Sequence, residues 1–191
     1  MYKKNMRILG VDDGPFTFND RSVLVVGVVV RGVNYVEGVI KKRVKRDGFD
    51  STDVLIKMVD NSRYKEQIRV IMTDGIALAG FNVIDIGRLY KTTGKAVVSI
   101  TRDKPDERMV EEALKNHFKD WKKRVKMIEE YPLIEVKTVY KPIFVKSVGV
   151  DENETKTIIK HAIVRGRLPE PIRLAHLIAS AYVKGESYGR A

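Results

Sequence analysis

Short apolar runs alternate with longer amphipathic stretches along the chain, and their spacing predicts the elements. Residues 8–11 are a brief apolar run that stops at Asp12-Asp13-Gly14-Pro15, a strand closing in a turn with two carboxylates at its tip. Residues 22–31 contain Val23-Leu24-Val25-Val26-Gly27-Val28-Val29-Val30, nearly all β-branched, which suits a strand buried on both faces. Gly32 and Asn34 supply a turn, and residues 36–44 then alternate loosely, with Val36, Ile40 and Val44 set among charges. The first three strands therefore read as an antiparallel meander.

Beyond residue 50 the period changes: Val54, Leu55, Met58 and Val59 recur at helical spacing, with Ser51 placed to cap the first turn. Residues 68–72 read as a strand ending in Thr73-Asp74-Gly75. Asn82 and Asp85 stand in N-cap and N3 relation and open a short helix to about Lys91, followed by a strand at 96–100. Pro105 suits the first turn of a long helix whose stripe is Met109, Val110, Ala113, Leu114, Phe118, Trp121, Val125 and Ile128, stopped at Tyr131-Pro132. Strands at 134–140 and 143–147 precede a helix over 151–164 with an acidic first turn. Leu168-Pro169-Glu170-Pro171 leads into a last helix carrying Ile172, Leu174, Ala175, Leu177 and Ile178. A meander followed by alternating units implies an α/β fold, one mixed central sheet with flanking helices. Its length fits a single domain over residues 1–191.

Charge narrows the partner. Lys and Arg number 36 against 25 Asp and Glu, a net charge of +11, which favours a polyanion such as nucleic acid. Two basic clusters stand out, residues 31–46 and residues 115–126, each with six basic residues and one acid. The absence of cysteine excludes disulfide scaffolds, thiol catalysis, zinc fingers and iron–sulfur clusters. No apolar run approaches the roughly 20 residues that cross a bilayer, and the basic start turns acidic too soon for a signal peptide. A cytoplasmic protein with no membrane partner is expected.

The candidate chemistry lies in where the acids fall. Asp12 and Asp13 close the first strand, and Asp74 closes the fourth. Ligands of α/β sheets sit beyond the carboxyl ends of parallel strands, so if these two strands are parallel neighbours, Asp12 and Asp74 face one site. Paired carboxylates repel unless a cation lies between them, and a hard divalent ion is the usual remedy. The competing reading is a pair of ordinary Asp-Gly turns. Asp47-Gly48-Phe49-Asp50 is a further acidic turn, from which Asp47 or Asp50 would complete a three-acid site. His176 shares a helix face with Arg173 and is a candidate proton shuttle or phosphate donor.

Several segments resemble one known family: Val11-Asp12-Asp13-Gly14, Asp47-Gly48-Phe49-Asp50-Ser51-Thr52, residues 73–85 with Gly80-Phe81-Asn82, residues 168–176 with Pro169-Glu170-Pro171, and residues 185–191. The chain resembles the archaeal DUF99 or UPF0215 proteins, also called the endonuclease dU family. That resemblance implies kinship with endonuclease V, a ribonuclease H-like fold and a magnesium-dependent nuclease site acting on DNA with deaminated bases, chiefly deoxyuridine. It places Asp12 as the first-strand metal ligand, Asp74 as the acid ending the fourth strand, and the helix from Arg173 to His176 beside the metal. Endonuclease V has a glutamate at the end of its third strand, a role left here to Asp47 or Asp50. The expected site is thus Asp12, Asp74, Asp50 or Asp47 and His176 around Mg2+, or Mn2+, with Asp13 behind. Lys45, Arg46 and Arg173 would hold phosphates, and Asn82 would either fix the loop near a damaged base or cap its helix. The alternative is a nucleic-acid-binding protein that kept the fold without cleavage.

Overall fold

The Val-rich run forms the second of nine strands in a computed structural model that describes residues 5–187. The basic residues 1–4 and the last four residues of the 185–191 segment lie outside the described residues. In chain order the elements are β1 (Arg7–Asp13), β2 (Ser22–Arg31), β3 (Tyr35–Lys45), α1 (Ser51–Asp60), β4 (Ile68–Asp74), β5 (Ala77–Leu78), β6 (Asn82–Val83) and α2 (Ile86–Thr93). They continue with β7 (Ala96–Thr101), α3 (Glu107–His117), α4 (Trp121–Glu129), β8 (Ile134–Val136), β9 (Ile143–Val148), α5 (Glu152–Ala162) and α6 (Glu170–Lys184). Seven strands make one mixed sheet in the order β3-β2-β1-β4-β7-β9-β8, and β5 and β6 form a separate small ribbon. The meander β1–β3 is antiparallel, whereas β1, β4 and β7 run parallel at the centre. No helix among the described residues is long and apolar enough to cross a membrane.

Strand alternation assigns each side chain to one face of this sheet. Leu9, Val11, Ile71 and Val97 join the core that contains Leu55 and Met58 of α1 and Leu89 of α2. Ile8, Val70, Met72, Val98 and Ile100 join the opposite core, with Ile158 and Ile159 of α5 and Ile172 of α6. On that second side α6 also covers Val26, Val28 and Val30 of β2 through Ala175 and Ala179. Two glycines permit this close contact. A Cβ on Gly10 would lie 2.2 Å from the Pro171 backbone, and one on Gly14 would lie 2.9 Å from Val183 Cγ2. Helix α6 is therefore laid along β1 from Gly10 to Gly14, with His176 between these contacts.

The structure differs from the sequence reading in several places: the strand expected over 134–140 is β8, three residues long, and the β5–β6 ribbon went unpredicted. The stripe over 109–128 belongs to two helices, because Phe118 takes an extended backbone (φ −131°, ψ 127°) and packs edge-on against Phe81 at 5.7 Å. Asn82 does not cap α2: it lies in β6, and Asp85 takes the cap, accepting a hydrogen bond from the Arg88 amide at 2.7 Å. Ser51 is the first residue of α1 rather than its cap, and its amide donates to Asn82 Oδ1 at 3.0 Å. Asn82 thus serves a helix start, but that of α1.

Candidate metal centre

Because Val11 of β1 pairs with Thr73 of β4, the next residues, Asp12 and Asp74, leave adjacent parallel strands side by side. Both continue the Ile8–Gly10 and Val70–Met72 parity, so both carboxylates face α6. There they meet His176, and one ligand atom from each of Asp12, Asp74 and His176 lies within 4.8 Å of the others. Asp12 is only 4% exposed, so its ionised form is costly unless it is paired.

Each carboxylate has a cationic or protonatable neighbour. His176 Nδ1 donates to Asp12 Oδ2 at 2.8 Å, and the other Asp12 oxygen accepts the Asp13 amide at 2.8 Å. The hydrogen bond to Asp12 raises the His176 pKa above its ordinary 6.5, against the opposing effect of burial. Arg102 donates to Asp74 Oδ2 at 3.0 Å. Burial, then repulsion from Asp12, pushes the Asp74 carboxyl from 3.8 up to about 6, although Arg102 and His176 pull the other way. Asp74 does not use its carboxylate to fasten its own turn; Thr73 Oγ1 does so by donating to Gly75 O at 2.7 Å. The ordinary-turn reading of Asp74 therefore leaves its carboxylate unexplained.

Asp13 points to the opposite face, where its carboxylate accepts the Ala79 amide and ties the β5–β6 ribbon to the tip of β1. Burial pushes its carboxyl up to about 6, with Asp12 and Asp74 adding to the effect. The three-residue centre opens into a cleft of about 630 Å³ whose walls include Phe16, Gly75 and Arg102.

Among the described residues, the group that brings Asp12, Asp74 and His176 together includes neither Asp47 nor Asp50, and both of these carboxylates are engaged within their own turn. Asp50 accepts the Lys45 amide at 3.1 Å and the Asn82 Nδ2 at 2.6 Å. Asp47, with φ 55°, accepts the Phe81 amide at 3.0 Å. Arg124 locks the same turn from below: it is 3% exposed, donates to the carbonyls of Asp47, Gly48 and Phe81, and stacks over Phe49 and Phe118. It is a buried clamp, not one of the cluster's phosphate-seeking charges.

The other expected contacts divide similarly. Asn82 is fully buried, so it cannot touch a base, and it also donates to Lys45 O at 2.8 Å. Arg173 is held by Glu170, one turn before it, at 2.6 Å. Lys45 is exposed at the end of β3, and Arg46 follows it, beside Asp47 Oδ2 at 3.2 Å. The sequence reading missed Arg102. Its signal was parity: β7 is the third central strand, Ile100 pairs with Asp74, and two residues further the chain returns to the same face.

With the geometry in place, comparison with known proteins assigns the chain. The family model described as Endonuclease dU matches residues 4–183. The chain belongs to the Endonuclease dU family. A family relative from Methanothermobacter thermautotrophicus, named a UPF0215 protein, is 41% identical over 190 residues, covering 99% of this chain and 93% of its own. A protein of unknown function from Archaeoglobus fulgidus, known as a crystal structure, superposes with TM-score 0.83 at 38% identity, covering 94% of this chain and 99% of that one. Endonuclease V of Ciona intestinalis, solved with a 24mer DNA containing an inosine followed by a ribo-adenosine, superposes with TM-score 0.63 at 15% identity, covering 95% of this chain and 87% of that one. This Endonuclease dU family member thus has the ribonuclease H-like fold of endonuclease V, with its mixed central sheet and flanking helices.

Proposed function

We propose that the chain is a metal-dependent endonuclease that hydrolyses phosphodiester bonds in DNA containing deaminated bases such as deoxyuridine, with residues 1–191 acting as one endonuclease V-like domain. The observation that carries this reading is the meeting of Asp12, Asp74 and His176 within 4.8 Å at the ends of two parallel strands. The donor set fits a divalent cation: one buried and one half-buried carboxylate repel each other, and an imidazole stands beside them. Asp12 and Asp74, with their oxygen donors, would hold Mg2+ or Mn2+. When bound, the cation supplies charge neutralisation and Lewis acidity for phosphodiester hydrolysis.

The chain's own groups have separable tasks. Asp12 orients the His176 ring through Nδ1, which leaves Nε2 to move a proton in the cleft. Arg102 holds Asp74 and, as a cleft wall, is placed to meet a phosphate oxygen. Lys45 and Arg46 supply positive charge along the approach. Kinship with endonuclease V, and the DNA complex of the Ciona protein, support DNA as the polymer.

The deciding experiment is a cleavage panel of uracil-, hypoxanthine- and mismatch-containing duplexes and single strands, with Mg2+ or EDTA. Cleavage is expected with Mg2+ and is expected to vanish in Asp74→Asn while DNA binding persists. Binding without cleavage of any substrate would overturn the nuclease reading in favour of a binding protein on a nuclease fold.

A further inference from the structure

Next to the acidic centre, the loop from β1 to β2 presents two phenylalanines that the fold does not bury. Phe16 is 38% exposed and forms part of the cleft wall; Phe18 is 91% exposed. The loop is braced. Asp20 Oδ2 accepts from both the Thr17 amide (2.7 Å) and the Thr17 hydroxyl (2.9 Å), and the Asp20 amide returns to Thr17 O at 3.1 Å. At its start the Gly14 amide donates to Leu24 O at 2.9 Å. Phe18 is thus held out at the tip of a closed turn, and the ordering entropy of that turn is met before any ligand arrives.

One guanidinium borders the ring, and a second is anchored at the start of β2. The Arg46 guanidinium lies 5.9 Å from the Phe18 ring centroid and donates to Thr17 O at 3.4 Å, and Arg43 is anchored to Ser22 Oγ at 2.9 Å. A flat apolar face, flanking guanidiniums and a neighbouring acidic cation site together match a polymer that carries planar rings on a phosphate backbone. A lipid surface would find one ring instead of an apolar face, and an acidic peptide would have no use for the cation site.

We propose that this loop is a base-stacking platform: Phe18, with Phe16 at the cleft wall, receives an unstacked base of a nucleic-acid strand lying across the Asp12–Asp74 centre, while Arg43 and Arg46 hold its phosphates. This assignment deepens the nuclease reading and rests on it for the position of the strand. Cation–π contact with Arg46 already orients one side of the ring, so the base takes the opposite face.

The test measures binding of a single-stranded deoxyoligonucleotide of about 16 nucleotides to the full chain in EDTA by fluorescence anisotropy. Phe18→Ala is expected to weaken binding about 5- to 100-fold with the salt slope unchanged, and Phe18→Trp to restore it. Arg46→Ala is expected to weaken binding and flatten the salt slope by about one. An abasic nucleotide scanned along the strand should cost affinity at one position in the wild type and nothing there in Phe18→Ala, which a merely structural effect would not produce. The thermal midpoint of Phe18→Ala should match the wild type. Unchanged affinity in Phe18→Ala, or equal affinity in Phe18→Leu and wild type, would overturn the platform. Mg2+-dependent cleavage by the wild type reports on the nuclease reading separately. Cleavage with unchanged Phe18→Ala binding removes the platform alone, and a Phe18 effect without cleavage keeps the platform and removes the nuclease.

Discussion

Replacing Asp74 by Asn should make the metal-free protein more stable. In the fold its carboxyl is raised from 3.8 to about 6, chiefly by burial and by Asp12. Between those values the folded chain binds more protons than the unfolded one, so this group lowers stability as pH rises through the window. A carboxyl raised that far costs about 3 kcal/mol at pH 7.5 and under about 1 kcal/mol at pH 4. Asn keeps an oxygen for the Arg102 hydrogen bond and never ionises, so about 3 kcal/mol is the ceiling of the gain. For a chain of this size that is a rise of about 5–10 °C in the thermal midpoint. The assay is denaturant unfolding of both proteins in EDTA at pH 7.5 and pH 4, repeated with Mg2+. The wild type should gain stability with Mg2+, about 2.7 kcal/mol at a hundredfold excess over Kd, and Asp74→Asn should not. An Asp74→Asn protein no more stable than wild type at pH 7.5 in EDTA would refute the reasoning, because it would mean the ionised Asp74 carries no cost for a cation to relieve.

Three further outcomes follow from the same geometry. Cation binding should release protons and tighten as pH rises from about 5 to 7, since Asp74 must ionise with a pKa near 6; calorimetry in two buffers of different ionisation enthalpy measures the proton count. Gly10→Ala should destabilise by about 2–3 kcal/mol, because its Cβ would fall 2.2 Å from the Pro171 backbone, and should weaken the His176–Asp12 contact, read as a shift in the His176 titration by NMR. Asp50→Ala should cost about 1–3 kcal/mol in unfolding experiments by removing the acceptor of one Asn82 Nδ2 hydrogen and of the Lys45 amide, yet leave Mg2+ affinity within a factor of two or so.

Much of the sheet was legible because its signals are local. The β-branched run at 23–30 and the charged alternation of 36–44 reflect burial on two faces and on one, and the structure places them inside the sheet and at its edge. The long helix was misread because Phe118 packs against Phe81, a partner 37 residues away that no window of periodicity contains. Asn82 and Asp85 were misassigned for a similar reason: both residues can cap, and only the β5–β6 ribbon decides which one reaches the amides of α2.

By itself the sequence determined which residues carry charge at strand ends, while the parallel pairing of β1 with β4 turned Asp12 and Asp74, but not Asp13, toward one face. Only the tertiary structure decided which acids meet. Asp47 and Asp50 sit in an equally acidic turn, but the turn is closed by Arg124 and Asn82, and their carboxylates are consumed by nearby amides. Their place is taken by His176, from a helix 164 residues beyond Asp12, which close contact at Gly10 and Gly14 lays over the strand. A carboxylate's type and spacing are written in the chain, whereas its remaining hydrogen-bonding capacity depends on what the fold has already brought to it.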